Sequence, residues 1–173
     1  MDVFEAIFTR RSVRQFSKKD VSNEDLKKIL EAGTWAPSAG NVQPWEVIVV
    51  KNHETKLRLA EAALHQDFIG EASVVLVVCV DLDMASLTYG ERGKTLYCIQ
   101  DSAAAIQNML LAVHALGLGA CWIGAFHEET VKKILGIPPR YRPVALIPIG
   151  YPTYSPRRIS KKTVDEIVHF EKF

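Results

Sequence analysis

The sequence predicts an α+β fold, and three observations carry that expectation. The chain of 173 residues has the length of about one domain. Four apolar, β-branched runs read as strands, and several amphipathic stretches at helical spacing lie between them. No internal repeat, low-complexity segment or linker divides the chain, so residues 1–173 are read as one domain with a C-terminal tail from about 151.

In chain order, residues 2–9 place Val3, Phe4, Ile7 and Phe8 at helical spacing. Arg10 to Phe16 break the pattern. Ser22, with Asp25 three positions on, resembles a capping box and opens a helix that stops at Gly33. Residues 34–44 are loop by composition, with two Pro, one Gly, one Ser and one Asn. Trp45–Val50 reads as a strand and His53–Leu64 as a second amphipathic helix. Ser73–Asp81 is apolar on both faces, the pattern of a central strand. Around Gly90 and Gly93 the periodicity fails, and residues 82–96 are expected to be structureless. Asp101–Leu116 reads as a long alanine-rich helix ending at Gly117. A short strand at Ala120–Ile123, a helix at His127–Leu135 and a last core strand at Val144–Ile149 follow. The tail turns basic after Pro152 and Pro156, and its apolar far end (Ile167, Val168, Phe170) suits docking onto the body or a partner subunit.

Composition and absent motifs exclude several function classes. Lys+Arg of 21 against Asp+Glu of 20 leaves a net charge of +1, which argues against a nucleic-acid binder. The longest apolar run, Val74–Val80, is far short of the roughly 20 residues a membrane span needs. Met1-Asp2 and the stretch after it do not form a secretory leader, and three cysteines inside apolar runs suit a reducing compartment. A cytoplasmic protein is the expectation. The five His are scattered, so no zinc site is expected, and neither a Gly-x-Ser-x-Gly elbow nor a Walker motif occurs. Gly117-Leu118-Gly119 continues to Trp122, so the dinucleotide fingerprint fails at its third glycine.

Three segments carry chemistry. Arg10, Arg11, Ser12 and Arg14 put three guanidinium forks and a hydroxyl within five residues, a set that suits phosphate oxygens. A solvated basic turn after a helix accounts for the same residues. Pro37-Ser38-Ala39-Gly40-Asn41 is dense in short donors and acceptors able to face a flat polar ligand, or is an ordinary turn. Cys121 to Phe126 leaves a strand at Gly124, where backbone can approach a ligand, or simply marks a strand end.

Together, RRSVRQF, APSAGNVQPW, LGLGACWIGAF and the ending from GYP through DEIVHFEKF resemble the FMN-dependent nitroreductase family over essentially the whole chain. The resemblance implies a small mixed, mainly antiparallel sheet packed between helices, in an intertwined homodimer whose C-terminal tail wraps the partner. It implies FMN at the dimer interface and NADH or NADPH as donor. By that likeness Arg10, Arg11, Ser12 and Arg14 hold the phosphate, ribityl chain and pyrimidine edge, and Pro37, Ser38, Ala39 and Asn41 come from the partner. Ile123 and Gly124 contact the ring through their backbones, Gln66 reaches the pyrimidine, and Arg158 and Lys161 compete to complete the phosphate site. Tyr89, Tyr97 and Phe126 border an aromatic acceptor or serve as packing. No dedicated catalytic side chain is expected, because flavin carries its own reactive centre. The implied activity is ping-pong reduction of nitroaromatics, quinones or similar acceptors. A related flavoenzyme with dehalogenating or flavin-modifying chemistry, and a non-catalytic flavin-binding module, are the alternatives.

Overall fold

The computed structural model describes all 173 residues. Its centre is a pair of antiparallel strands, β2 (Val74–Asp81) and β4 (Tyr141–Gly150), in register at Leu76–Ile147 and Val77–Leu146. β1 (Trp45–Val50) pairs with the outer edge of β2, and β3 (Gly119–Ala120) with the outer edge of β4, giving the order β1-β2-β4-β3. All three pairings are antiparallel. The mixed character expected of the sheet reduces to one isolated parallel bridge between Ser12 and Ala120.

Every residue of β2 is buried, because both faces of the sheet are covered. Val75, Val77 and Cys79 point into one core with Leu59 and Ala63 of α3 (His53–Ala62 and its C-cap), Ile69 of α4 (Phe68–Glu71) and Val131 of α7 (Glu128–Leu135). Val74, Leu76 and Val78 point into the other, with Ile29 of α2 (Asn23–Thr34) and Ile106 and Met109 of α6 (Cys98–Ala115). Strand alternation therefore sorts one run of valines into two cores.

Local signals behave as read. Ser22 caps α2, accepting from the Asp25 N–H at 3.0 Å while its hydroxyl donates to the Asp25 carboxylate at 2.8 Å. At α3 the cap is Asn52, whose side-chain oxygen accepts from the Thr55 N–H and hydroxyl, a feature the sequence reading did not include. Gly136 closes α7 in the left-handed conformation.

Residues 82–97 differ from expectation. They form α5 (Leu82–Arg92) and a π-helical turn (Gly93–Tyr97) that runs directly into α6. Asp81 caps α5, its carboxylate accepting from the N–H groups of Asp83 and Met84. Gly90 (φ 56°, ψ −143°) marks a kink within helix rather than a loop, which is why its glycine signal misled. α6 consequently begins at Cys98, not Asp101. α4 was not expected, and the strand expected at Ala120–Ile123 shrinks to Gly119–Ala120 plus a separate bridge from Ile123 to Leu146.

Gly93 makes the kink possible. A Cβ there would collide with the Ala85 carbonyl oxygen and crowd the Tyr89 side chain. Gly93→Ala is expected to cost about 2 kcal/mol, the collision outweighing the helix-propensity gain. Gly124→Ala, whose Cβ would meet nothing within 4 Å, should stay within about 0.5 kcal/mol. Denaturant midpoints of the two variants check the pair.

Candidate functional site

α1 (Val3–Thr9) ends where the arginine cluster begins. Beyond it the chain is stitched into the sheet edge. The Val13 N–H donates to the Ala120 carbonyl at 2.9 Å, and the Ser17 N–H donates to the Tyr151 carbonyl at 2.9 Å. Phe16 bridges Pro152. Val13 and Phe16 are buried, while Ser12 is half-buried and Arg14 exposed.

Together with the returning tail, this segment forms a groove of about 670 Å³. Arg10, Arg11, Arg14, Arg157, Arg158 and Lys161 line it beside Ser12, and no carboxylate does. None of these six cations belongs to an ion pair. Arg11 is partly committed, since its Nη1 donates to the carbonyls of Phe8 and Arg10 and so caps the end of α1. Arg158 and Lys161 both reach the groove. So does Arg157, which the sequence reading passed over although the Arg157-Arg158 charge run signals it. Like charges gathered without partners repel, and a polyanion between them relieves that repulsion.

Cys121 lies under the cluster. Burial pushes its thiol up, with Arg14, Ser12 and Arg10 pulling the other way. Burial likewise raises Cys98, and takes Cys79 to about 11. All three thiols are buried and stay protonated near neutrality, so none serves as a nucleophile.

A second cavity of about 520 Å³ adjoins the groove and shares Arg10 and Arg11 with it. His114 of α6 faces it, with Nε2 2.7 Å from the Thr9 hydroxyl. Thr9 gives its single hydroxyl hydrogen to the Glu5 carbonyl, so Nε2 is the donor to Thr9. Nothing in the sequence pairs these two positions, which lie 105 residues apart.

Beyond β3 the chain frees backbone groups selectively. The Ile123 N–H donates to the Leu146 carbonyl at 2.9 Å, and the Ile123 carbonyl accepts from Leu146 at 3.0 Å. The sheet therefore occupies the Ile123 N–H and one lone pair of its carbonyl oxygen. Gly124 is exposed and its N–H has no protein partner. Gln66 stands beside this segment, its Nε2 donating to the carbonyls of Ala63 (2.8 Å) and Ala125 (3.3 Å), which leaves Oε1 free. Phe126 is half-buried against the core that holds Ile123 and Val131, so its surroundings are those of a packing residue.

The loop Pro37–Gln43 is rigidly held. The Ala39 N–H donates to the carboxylate of buried Asp101 at 3.0 Å, and the Gln43 N–H donates to Ser38 Oγ at 3.0 Å. Burial raises the Asp101 carboxyl, and the Ala39 N–H opposes it. Gly40, Asn41 and Gln43 all have positive φ. Tyr89 lays its hydroxyl against Gly40, and its ring meets Tyr97 edge-on at 5.3 Å. None of Pro37, Ser38, Ala39 and Asn41 lines the cationic groove. The loop and the groove are thus two separate features of one chain.

The family model for the nitroreductase family matches residues 7–66 and 60–151. The chain belongs to the nitroreductase family. An Archaeoglobus fulgidus protein, provisionally named an NADH dehydrogenase/NAD(P)H nitroreductase, is 38% identical over 150 residues, covering 84% of this chain and 83% of its own. The NADH dehydrogenase of Thermus thermophilus is 33% identical over 179 residues, covering 88% and 87%. The structure of the NADPH:FMN oxidoreductase of Vibrio harveyi complexed with NAD+ superposes with a TM-score of 0.90 at 26% identity, covering 98% of this chain and 77% of that one. This member of the nitroreductase family is an oxidoreductase, and no helix in it is long and apolar enough to cross a membrane.

Burial, and then Arg10 and Arg11, hold the His114 imidazole below its ordinary pKa, with Glu5 opposing. The unfolded chain therefore binds this proton more readily, and the stability it gives up is lost as pH falls through and below about 6.5. Between about pH 7.5 and pH 5.5 the wild-type melting temperature should fall further than that of His114→Gln.

Proposed function

We propose that the protein is a homodimeric FMN-dependent oxidoreductase that takes electrons from NADH or NADPH and passes them to an aromatic acceptor such as a nitroaromatic or quinone. The observation that carries the reading is the groove in which six unpaired cations and the Ser12 hydroxyl converge without a carboxylate. A phosphomonoester carries about −1.5 to −2 charge at neutral pH and three acceptor oxygens, which this donor set fits. Relatives named for FMN and NAD(P)H support the same assignment.

In this reading Arg10, Ser12, Arg14, Arg158 and Lys161 bind the phosphate, while Arg11 holds the end of α1 that presents them. The Gly124 N–H is the free backbone donor for the ring, and Gln66 Oε1 is a free acceptor for a ring N–H. The redox chemistry, hydride uptake from the nicotinamide and onward transfer to the acceptor in a ping-pong sequence, belongs to bound FMN. The protein would contribute orientation and charge to the bound group. Protonated, buried cysteines do not compete as nucleophiles.

The second half-site supports a homodimer. Ser38 and Asn41 lie outside the groove of their own chain, so a partner copy supplies them to it. Exposed apolar surface points the same way: Val3, Phe4, Ile7 and Phe8 on α1 are 46–66% exposed, and Phe170 and Phe173 in the tail are 86% and 105% exposed. A solvated monomer has little use for that surface. We assign the tail, about 151–173, to wrapping the partner. The three unpaired cysteines suit a reducing compartment, and we place the protein in the cytoplasm.

The purified protein should show a flavin absorption spectrum that bleaches on anaerobic addition of NADH or NADPH. A colourless protein that fails to take up FMN would refute the reading. Arg10→Ala with Arg14→Ala should weaken FMN binding roughly a hundredfold, two charge-assisted contacts being lost. Flavin fluorescence titration measures it. Deletion of residues 157–173 should give a flavin-free monomer by size-exclusion chromatography, and a yellow dimer would sink the role assigned to the tail.

A further inference from the structure

Beside the loop that carries Ser38 and Asn41 stands a second cationic feature, separate from the phosphate groove. Arg92, at the end of α5, donates from Nε to the Tyr97 hydroxyl oxygen at 2.9 Å. Its guanidinium lies over the Tyr97 ring, 5.3 Å from the centroid. Tyr89 meets Tyr97 edge-on, and the Tyr89 hydroxyl touches Gly40. Arg92 is exposed and makes no ion pair. Only Nε is used, so both terminal amino groups remain free and form a planar fork. Because the Tyr97 oxygen accepts from Arg92, its own hydrogen is free as well, and a charged donor strengthens it as a hydrogen-bond donor.

The cluster is built, not incidental. Tyr89 and Tyr97 are eight positions apart and meet only because Gly90 turns the helix and Gly93 lets it fold back against Ala85. A π-helical turn follows, a local cost that chains keep chiefly at functional sites. Arg92 is absent from the lining of the phosphate groove, so its fork is not committed there.

We propose that Arg92, held by Tyr97, is a specificity-determining residue that selects aromatic acceptors bearing a carboxylate over neutral ones. The inference rests on the flavin oxidoreductase reading, in which the Gly40 loop flanks the ring. A carboxylate is planar and matches the fork bidentately, whereas a neutral amide of the same shape leaves the fork half-used. The tyrosine rings supply aromatic contact for the rest of such a molecule.

The test uses the FMN-loaded protein and the pairs benzoate/benzamide and 4-nitrobenzoate/4-nitrobenzamide. Calorimetric Kd values should show a benzoate preference that falls about tenfold in Arg92→Gln. Arg92→Lys, which keeps the charge and loses the fork, and Tyr97→Phe, which loses the brace, should each fall about threefold. The KM ratio for the nitro pair should move in parallel. An unchanged benzoate preference in Arg92→Gln would overturn the proposal. A change in the NADPH/NADH ratio with none between the acceptors would also overturn it, assigning the fork to the donor's 2′-phosphate. Failure of NADH and NADPH to bleach the flavin would refute the reductase reading instead, and the benzoate titration, which needs no turnover, would still decide the fork.

Discussion

The hydrogen bond from the Val13 N–H to the Ala120 carbonyl anchors the segment on which the cationic groove depends. Six cations facing one groove repel, and left free they would disperse into solvent. Holding Arg10, Arg11 and Arg14 in place requires a backbone that does not yield. The sheet edge supplies it at Ala120, and the buried side chains of Val13 and Phe16 lock the segment down on the core side. Gly119 is part of the same device, because a Cβ there would run into the Val13 side chain. The tail start pairs with Ser17 and Phe16, so the second group of cations is tied to the same rail.

The loop around Ser38 is held by a different constraint. Asp101 sits buried in α6 with the Ala39 N–H as its hydrogen-bond partner, and the loop around Ser38 is pinned to the longest helix by that bond. Burying a carboxylate is costly unless it is hydrogen-bonded, and the raised Asp101 carboxyl records that cost. A loop fixed this firmly can present Ser38 and Asn41 to another surface without losing entropy on contact.

Much of this was legible in the sequence where the signal is local. The β2 run, the Ser22 cap and the Gly136 stop are written in residue type and spacing. The arginine cluster and the Gly124 exit were also visible as chemistry. Contacts between distant positions were not. Asp101 with Ala39, His114 with Thr9 and Gln66 with Ala125 join residues 62, 105 and 59 apart, and no pattern in one sequence couples them. The misreading of residues 82–97 has another cause. Gly90 and Gly93 are breakers by propensity, yet tertiary packing against Ala85 uses them to bend a helix. The Ile123–Leu146 pair is hidden for a third reason: alternation marks Ile123 as strand, and only the register shows its partner.

The kinked helix changes how selectivity in this chain is to be understood. A structureless 82–97 would adapt to each acceptor and discriminate weakly. A capped helix, closed by Asp81 at one end and continuous with α6 at the other, holds Tyr89, Arg92 and Tyr97 in one arrangement before any ligand arrives. Pre-organised groups lose little entropy on binding, and they reject what does not fit them. The cationic residues are stitched to the sheet, while Tyr89, Arg92 and Tyr97 stand on a bent helix, so the two groups are held by separate parts of the fold.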